Sequence, residues 1–170
     1  HLATLDILER TGVLVLNKEA RKLLLDAGAR PAGGDVVRLP SWMVKDALNK
    51  APEKVVLHKR TGQRTVPLEA DRVFFGTGSD TPNTIDPYTR KRRRSVKEDT
   101  RKFALLCDYL PNFDFIMSMG IAEDVPDGNN YVEEFEAMLL GSSKPIVFTA
   151  NGRRDMETIY QMATVVAGDV

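Results

Sequence analysis

Three short clusters of glycine and polar residues hold most of the side chains that could touch a substrate. They are Gly76-Thr77-Gly78-Ser79-Asp80, Ser118-Met119-Gly120 and Thr149-Ala150-Asn151-Gly152. The first invites a phosphate-loop reading, because glycines let backbone N–H groups approach an anion. Its spacing argues against that. A dinucleotide fingerprint needs G-x-G-x-x-G opening into a helix and a Walker loop ends in Gly-Lys-Ser or Gly-Lys-Thr, whereas here Thr81-Pro82-Asn83 follows. What remains is a glycine-permitted bend that turns Asp80 and Asn83 toward a pocket, with a plain turn as the simpler alternative. Thr149 and Asn151 close an apolar run, and Asn151 could equally cap the helix after it. Tyr131, Phe75 and Phe148 offer aromatic faces of the kind that hold a quaternary ammonium by cation–π attraction, although core packing is the simpler role for each.

Other reactive types carry less. Arg90-Lys91-Arg92-Arg93-Arg94 places five cations in a row, which could neutralise phosphates or dock an acidic protein. No aromatic residues interleave with it for base stacking, so a solvated surface outweighs nucleic-acid binding. His1 and His58 form no metal or triad pattern, and no metal is expected. Glu123, Asp124 and Asp127 could bind a cation or act as bases, but acidic loops are also common for solubility. Asn129 and Asn130 read as an N-cap at the next helix, with a place at a pocket rim as a second role. The single cysteine, Cys107, lies in an apolar helical stretch and reads as a buried thiol.

Positioning these groups requires a core, and 170 residues with 42% hydrophobic and 28% charged content are enough for one. Twenty-four basic and twenty-four acidic residues cancel, so no overall field draws the protein to nucleic acid or an anionic membrane. No apolar run approaches membrane-spanning length and no signal peptide is evident, which leads us to expect a cytoplasmic protein. The sequence opens at His1 within a helical pattern and has only Asp169 and Val170 beyond its last one. A fragment of a longer protein is therefore expected.

The pattern of elements divides into an N-terminal helical and hairpin segment, residues 1–70, and a strand-helix portion, residues 71–170. Leu2, Leu5 and Leu8 repeat at helical spacing; Asn17 can cap a second helix; Val44, Ala47, Leu48 and Ala51 form the stripe of a third, expected to bury against something larger. Lys54 to Leu68 reads as a hairpin with Pro67 on an edge strand. Val73–Phe75, Phe113–Met119 and Pro145–Ala150 then read as strands, with Thr84–Asp86 as a return strand after the first. Ser95 and Glu98 fit an S-x-x-E capping box for a helix whose face is Phe103, Leu106 and Leu110. Tyr131, Phe135, Met138 and Leu139 make the next helix; Met156, Ile159, Tyr160, Ala163 and Val166 make the last. Strands alternating with helices imply an α/β fold, and the rhythm is that of about three βα units of a TIM (β/α)8 barrel, whose chemistry sits after the strands. Three units cannot close eight strands, so an open α/β domain is the alternative.

Taken together, HLATLDILERTGVLV, LPSWMVKDALNKAPEKVVLHKR, DRVFFGTGSDTPNTIDPYTRKRR and LPNFDFI resemble the N-terminal part of the trimethylamine methyltransferase family. The resemblance is spread over nearly the whole chain and rests on no short catalytic motif. It implies a (β/α)8 barrel that moves a methyl group from a methylated amine to the Co(I) of a separate corrinoid protein, with no corrinoid (cobalamin) bound directly. It also implies a homo-oligomer. Family members include pyrrolysine-containing trimethylamine enzymes and relatives that use betaines, and the pyrrolysine position lies beyond the stretch present here. On this basis Asp80, Asn83, Tyr131, Thr149 and Asn151 are expected to face the amine, with no assignable catalytic residue. The competing reading is a non-catalytic α/β module docking an acidic partner through Arg90–Arg94.

Overall fold

The computed structural model describes residues 1–62 and 64–168, with Asp169 and Val170 among those outside it. It is a mixed α/β structure of helices and small antiparallel sheets, divided into two compact units between Glu53 and Lys54. No helix among the described residues is long and apolar enough to cross a membrane.

In the first unit, α1 (Leu2–Arg10), α2 (Lys18–Asp26) and α3 (Ser41–Lys50) match the expected helices. Asn17 caps α2 as its type suggests, its Oδ1 accepting from the Ala20 N–H at 2.9 Å. Between the helices run β1 (Val13–Leu14), β2 (Arg30–Pro31) and β3 (Val36–Arg38), an antiparallel sheet ordered β1-β3-β2 that helical periodicity did not reveal. Two- and three-residue strands are too short for alternation to register. Gly12, at φ +86°, permits this sheet: a Cβ there would stand 2.6 Å from the Val37 carbonyl oxygen. Glu9 caps α3 from outside, accepting from the Ser41 hydroxyl at 2.5 Å and its N–H at 3.1 Å. Those donors hold its carboxyl below the ordinary range. The α3 stripe is not buried within this unit, for Ala47, Leu48 and Ala51 are all exposed.

The second unit opens with the expected hairpin, β4 (Val55–His58) antiparallel to β5 (Arg64–Leu68). Its turn is fastened by Arg60, which donates its N–H to the Ser143 carbonyl at 3.0 Å and its guanidinium to the carbonyls of Leu139 and Ser142. A cation suits that position, because α5 (Asn130–Gly141) ends there with unsatisfied carbonyls. A second hairpin, β6 (Asn83–Ile85) with β7 (Arg92–Arg94), follows the Gly76–Asp80 cluster.

The three longer strands expected from the sequence are not regular ladders. Val73–Phe75, Phe113–Met119 and Pro145–Ala150 are joined by isolated parallel bridges, Gly76 to Phe115 and Ile116 to Ile146, with Thr81 to Gly120 beyond. Side chains take over the groups a ladder would use. Thr77 Oγ1 accepts from the Met117 N–H at 2.7 Å and donates to its carbonyl at 2.9 Å, and Asp114 accepts from the Phe75 N–H at 2.9 Å.

The core beneath is Ala104, Cys107, Ile116, Phe135, Met138 and Ile159, supplied by α4 (Lys97–Tyr109), α5 and α6 (Arg153–Ala167) and, through Ile116, by the second parallel segment. Cys107 is buried as expected, and burial raises its thiol pKa. The face of α4 is rotated from the expected one: Thr100, Ala104 and Cys107 point inward while Leu106 is 53% exposed. Its start also differs. The Val96 N–H donates to Asp99 at 3.0 Å, not to Glu98, which pairs with Arg101. Ser95 is buried and donates instead to the Thr81 carbonyl at 3.3 Å. On α6, Ile159 is buried but Met156 and Tyr160 are exposed.

The inward face of α4 is small because α5 comes very close. A Cβ on Gly141 would lie 2.7 Å from both the Ala104 Cβ and the Arg101 carbonyl oxygen. Gly141→Ala is therefore expected to destabilise the fold by about 1–3 kcal/mol, against a helix-propensity gain of up to about 1 kcal/mol. The midpoint of urea unfolding measures it; a variant as stable as the parent would mean that the two helices can part at no cost.

Candidate functional site

Two of the glycine-polar clusters carry a backbone signature that glycine does not explain. Asp80 and Met119, neither of them glycine, lie in the left-handed region at φ 60° and 62°. For an L-residue this costs on the order of 1–2 kcal/mol, and such conformations concentrate where function or tight packing demands them. Hydrogen bonds over-determine both. Met119 N–H donates to the Gly78 carbonyl at 2.9 Å, and the Met119 carbonyl accepts from the Thr81 N–H at 3.1 Å and from its hydroxyl. Gly120 must follow, since a Cβ there would sit 2.8 Å from the Ser95 side chain.

The bend turns Asp80 toward α5. The Ser79 hydroxyl donates to its carboxylate at 2.8 Å, and the charge of Asp80 acts on the Tyr131 hydroxyl of α5. One turn on from Tyr131, Glu134 is only 2% exposed, its Oε1 accepting from the Ala122 N–H at 2.9 Å. Ser118 and Asn130 also act on it, both favouring its charged form. Burial pushes the Glu134 carboxyl above its ordinary range, opposed by these groups and reinforced by the charge of Asp80. Tyr131 is likewise pushed up, by burial first and then by Asp80 and Glu134, so its hydroxyl keeps its proton and remains a donor. The result is an exposed carboxylate beside an aromatic ring, backed by a buried carboxyl: a locus that attracts a cation and presents a π face to it.

Of the five residues singled out from sequence, Asp80 and Tyr131 are thus brought together. Asn83 is paired opposite Arg94 in the β6–β7 hairpin and lines a hollow of about 330 Å³ with Thr81, Ser95, Phe103 and Met119. Thr149 is half-buried and Asn151 exposed, and no hydrogen bond joins either to Asp80 or Tyr131 among the described residues. The helix cap considered for Asn151 runs the other way: its N–H donates to Asp155 at 2.9 Å. Phe148 meets Phe135 edge-on at 5.1 Å and is itself 36% exposed. Phe75 is exposed.

The acidic loop is structural. Glu123 pairs with Arg94 at 2.9 Å, and Asp124 accepts from the Lys97 N–H at 2.8 Å, satisfying the first turn of α4. Among the described residues no group of three His, Cys, Asp or Glu could hold a metal. A cavity of about 480 Å³ lies beside the β4–β5 hairpin, lined by His58, Arg60, Phe135, Lys144, Phe148 and Val166. Its two anchored cations serve helix ends: Arg60 as above, and Lys144 through 2.6 Å bonds to the Cys107 and Leu110 carbonyls.

Glu134 escaped the sequence reading, which names Ser118 only as part of the Ser118–Gly120 cluster. The signal was a carboxylate at helical spacing from Tyr131, immediately before Phe135 on the apolar stripe. A charge there is either a solvated flank or a buried polar anchor, and sequence alone does not separate the two.

A sequence profile described as trimethylamine methyltransferase (MTTB) matches residues 1–170. The chain is 29% identical over 169 residues to trimethylamine methyltransferase MttB of Desulfitobacterium hafniense, covering 99% of this chain and 34% of that protein. It is 30% identical over 173 residues to MttB1 of Methanosarcina acetivorans (94% and 34%) and 32% over 151 residues to MttB of Methanosarcina thermophila (85% and 31%). It thus spans about a third of the length of these relatives.

A carboxyl whose pKa is raised by folding binds its proton more tightly in the folded state, so its contribution to stability is full below the ordinary glutamate value and is lost as pH rises through the folded one. Unfolding midpoints should therefore fall over that window, and Glu134→Gln should flatten the decline. Parallel pH profiles for the two proteins would show that Glu134 ionises normally in the fold.

Proposed function

The chain belongs to the trimethylamine methyltransferase family, and from that premise we propose that it forms part of an enzyme moving a methyl group from a tertiary or quaternary amine to the Co(I) of a cognate corrinoid protein. The observation that carries the reading within this chain is the Asp80–Tyr131 pair backed by Glu134. A methylated ammonium is bulky and weakly hydrated, and it has few or no N–H donors to satisfy. Aromatic faces and a diffuse negative field hold such a cation better than directional hydrogen bonds do.

In this reading the parallel-bridged segments are one sector of a (β/α)8 barrel, and Asp80, Ser118 and Thr149 stand at the ends of its strands, where that architecture places its chemistry. The displacement forms a bond between cobalt and the methyl carbon while the C–N electron pair leaves on nitrogen. A quaternary amine, or trimethylamine in its protonated trimethylammonium form, departs as a neutral amine and takes up no further proton. Tyr131 and Asp80 accordingly act by orientation and electrostatics, not as acid and base. The same field bears on specificity. A carboxylate beside the cation site repels a second carboxylate, so Asp80 favours an amine without an acid group, such as trimethylamine, over a betaine. A non-catalytic docking module is not favoured by the family match.

The test uses the full-length protein, its corrinoid protein with the cobalt reduced, and a panel of methylamines and betaines, following the corrinoid absorption spectrum. Tyr131→Ala is expected to lower kcat/KM for the amine by about 3- to 30-fold, the value of a cation–π contact of roughly 0.5–2 kcal/mol, while Tyr131→Phe keeps most of the activity. Asp80→Asn should raise KM for trimethylamine more than for glycine betaine. If no amine in the panel methylates the corrinoid, the enzyme reading is wrong.

A further inference from the structure

The carboxylate of Asp80 owes its place to groups that lie beneath it. At φ 60° Asp80 stands in the left-handed region, where aspartate and asparagine are tolerated better than most side chains. Thr81 and Pro82 follow, and a residue before proline is confined to extended backbone, so the bend has no freedom on that side. Thr81 is fastened at both of its backbone groups. Its N–H donates to the Met119 carbonyl at 3.1 Å, as does its hydroxyl, and its carbonyl accepts from the Ile121 N–H at 3.0 Å and the Ser95 hydroxyl at 3.3 Å. What positions Asp80 is therefore the backbone from Met119 to Ile121.

That backbone is supported at each end. Before it, the buried Thr100 hydroxyl of α4 donates to the Ser118 carbonyl at 3.2 Å. After it, the Ala122 N–H donates to Glu134 Oε1 at 2.9 Å. Ala122 and Glu134 are each only 2% exposed, so neither group can turn to water instead, and further chain packed around them could only deepen their burial. Glu134 is the unexpected member of this set. Phe135 and Met138 are buried on the same helix, and an apolar residue is the ordinary occupant of such a position. A carboxyl there costs desolvation, which a bond to an otherwise unpaired N–H offsets.

We infer that Glu134 is a positioning residue: through the Ala122 N–H it fixes the Met119–Ile121 backbone, which through Thr81 fixes the carboxylate of Asp80. The inference rests on the reading of Asp80 and Tyr131 as the site of the amine cation. It adds that Glu134 acts by the bond it accepts and not by its charge. An ionised Glu134 would be needed for a direct field on the ligand, and burial opposes that ionisation.

The experiment uses the full-length protein and measures by calorimetry its affinity for tetramethylammonium, a cation that has no N–H and does not titrate. In parallel, kcat/KM for trimethylamine is followed with the reduced corrinoid protein. Glu134→Gln keeps an oxygen for the Ala122 N–H and should bind within about twofold of wild type, whereas Glu134→Leu removes the acceptor and should bind about tenfold more weakly. Asp80→Asn retains a side chain suited to the left-handed bend but removes the charge. In that background Glu134→Leu should cost no more than about twofold, because a pair that acts in series is not additive. A general loss of structure would not depend on Asp80. Thr81→Val removes only the hydroxyl bond to Met119; its loss of about threefold should likewise vanish with Asp80→Asn, and it decides the matter if Glu134→Leu does not fold. Equal losses for the Gln and Leu variants, equal losses in both Asp80 backgrounds, or no tetramethylammonium binding by wild type would each overturn the inference. Failure of the methyl-transfer reading looks different: tetramethylammonium binds in this graded way, yet no amine methylates the corrinoid.

Discussion

A carboxyl group sealed from water must have its oxygens satisfied from within, and in this chain that requirement organises the ends of two parallel segments. Glu134 draws the Ala122 N–H to itself at 2.9 Å. The loop after Ser118 is held against the start of α5 in consequence, and Tyr131 is fixed one turn before. An apolar residue of the same size would leave the Ala122 N–H unpaired in the interior, at a cost of about 1–3 kcal/mol. A buried acid here is thus the residue that lets a polar loop end fold onto a helix.

The same economy recurs along the parallel segments. Thr77, Asp114 and Thr81 bond to backbone groups of neighbouring segments, so adjacency is kept while the ladder is broken into single bridges. At their other ends, Asp108 meets the Ser142 and Ser143 hydroxyls and the Ser143 N–H, and Lys144 and Arg60 fill the carbonyl-rich ends of α4 and α5. Few of these contacts are local in sequence. Where they are withdrawn from water, as at Thr77, Asp108 and Lys144, a satisfied polar network is rigid and a half-satisfied one is costly.

What was legible in the sequence follows from range. Helices announced themselves through 3.6-residue spacing and Asn17, and the β4–β5 hairpin through Thr61-Gly62, because those signals lie within a few residues of what they specify. The first unit's β1, β2 and β3 were too short to leave a pattern. The helix α4 was found but rotated, because Leu106 satisfies a periodicity as well as Ala104 does; only the close approach of Gly141 decides for the smaller residue. Ser95 and Glu98 fitted a capping motif whose work is done by Asp99, one residue along and bound also to Arg93. In the candidate site, Asp80 and Tyr131 were named separately, but Glu134 required knowledge of what lay above α5. Sequence assigned the five-cation run one property, whereas strand alternation gives its members different neighbours.

The left-handed residues at the mouth have a dynamic consequence. Met119 is held in that conformation by a bond to Gly78, and it in turn holds Thr81, the residue after left-handed Asp80. Neither strained residue can relax without breaking a bond that constrains the other. The loops after the first and second segments are therefore coupled in a single opening event, and their amides should lose protection from hydrogen exchange together.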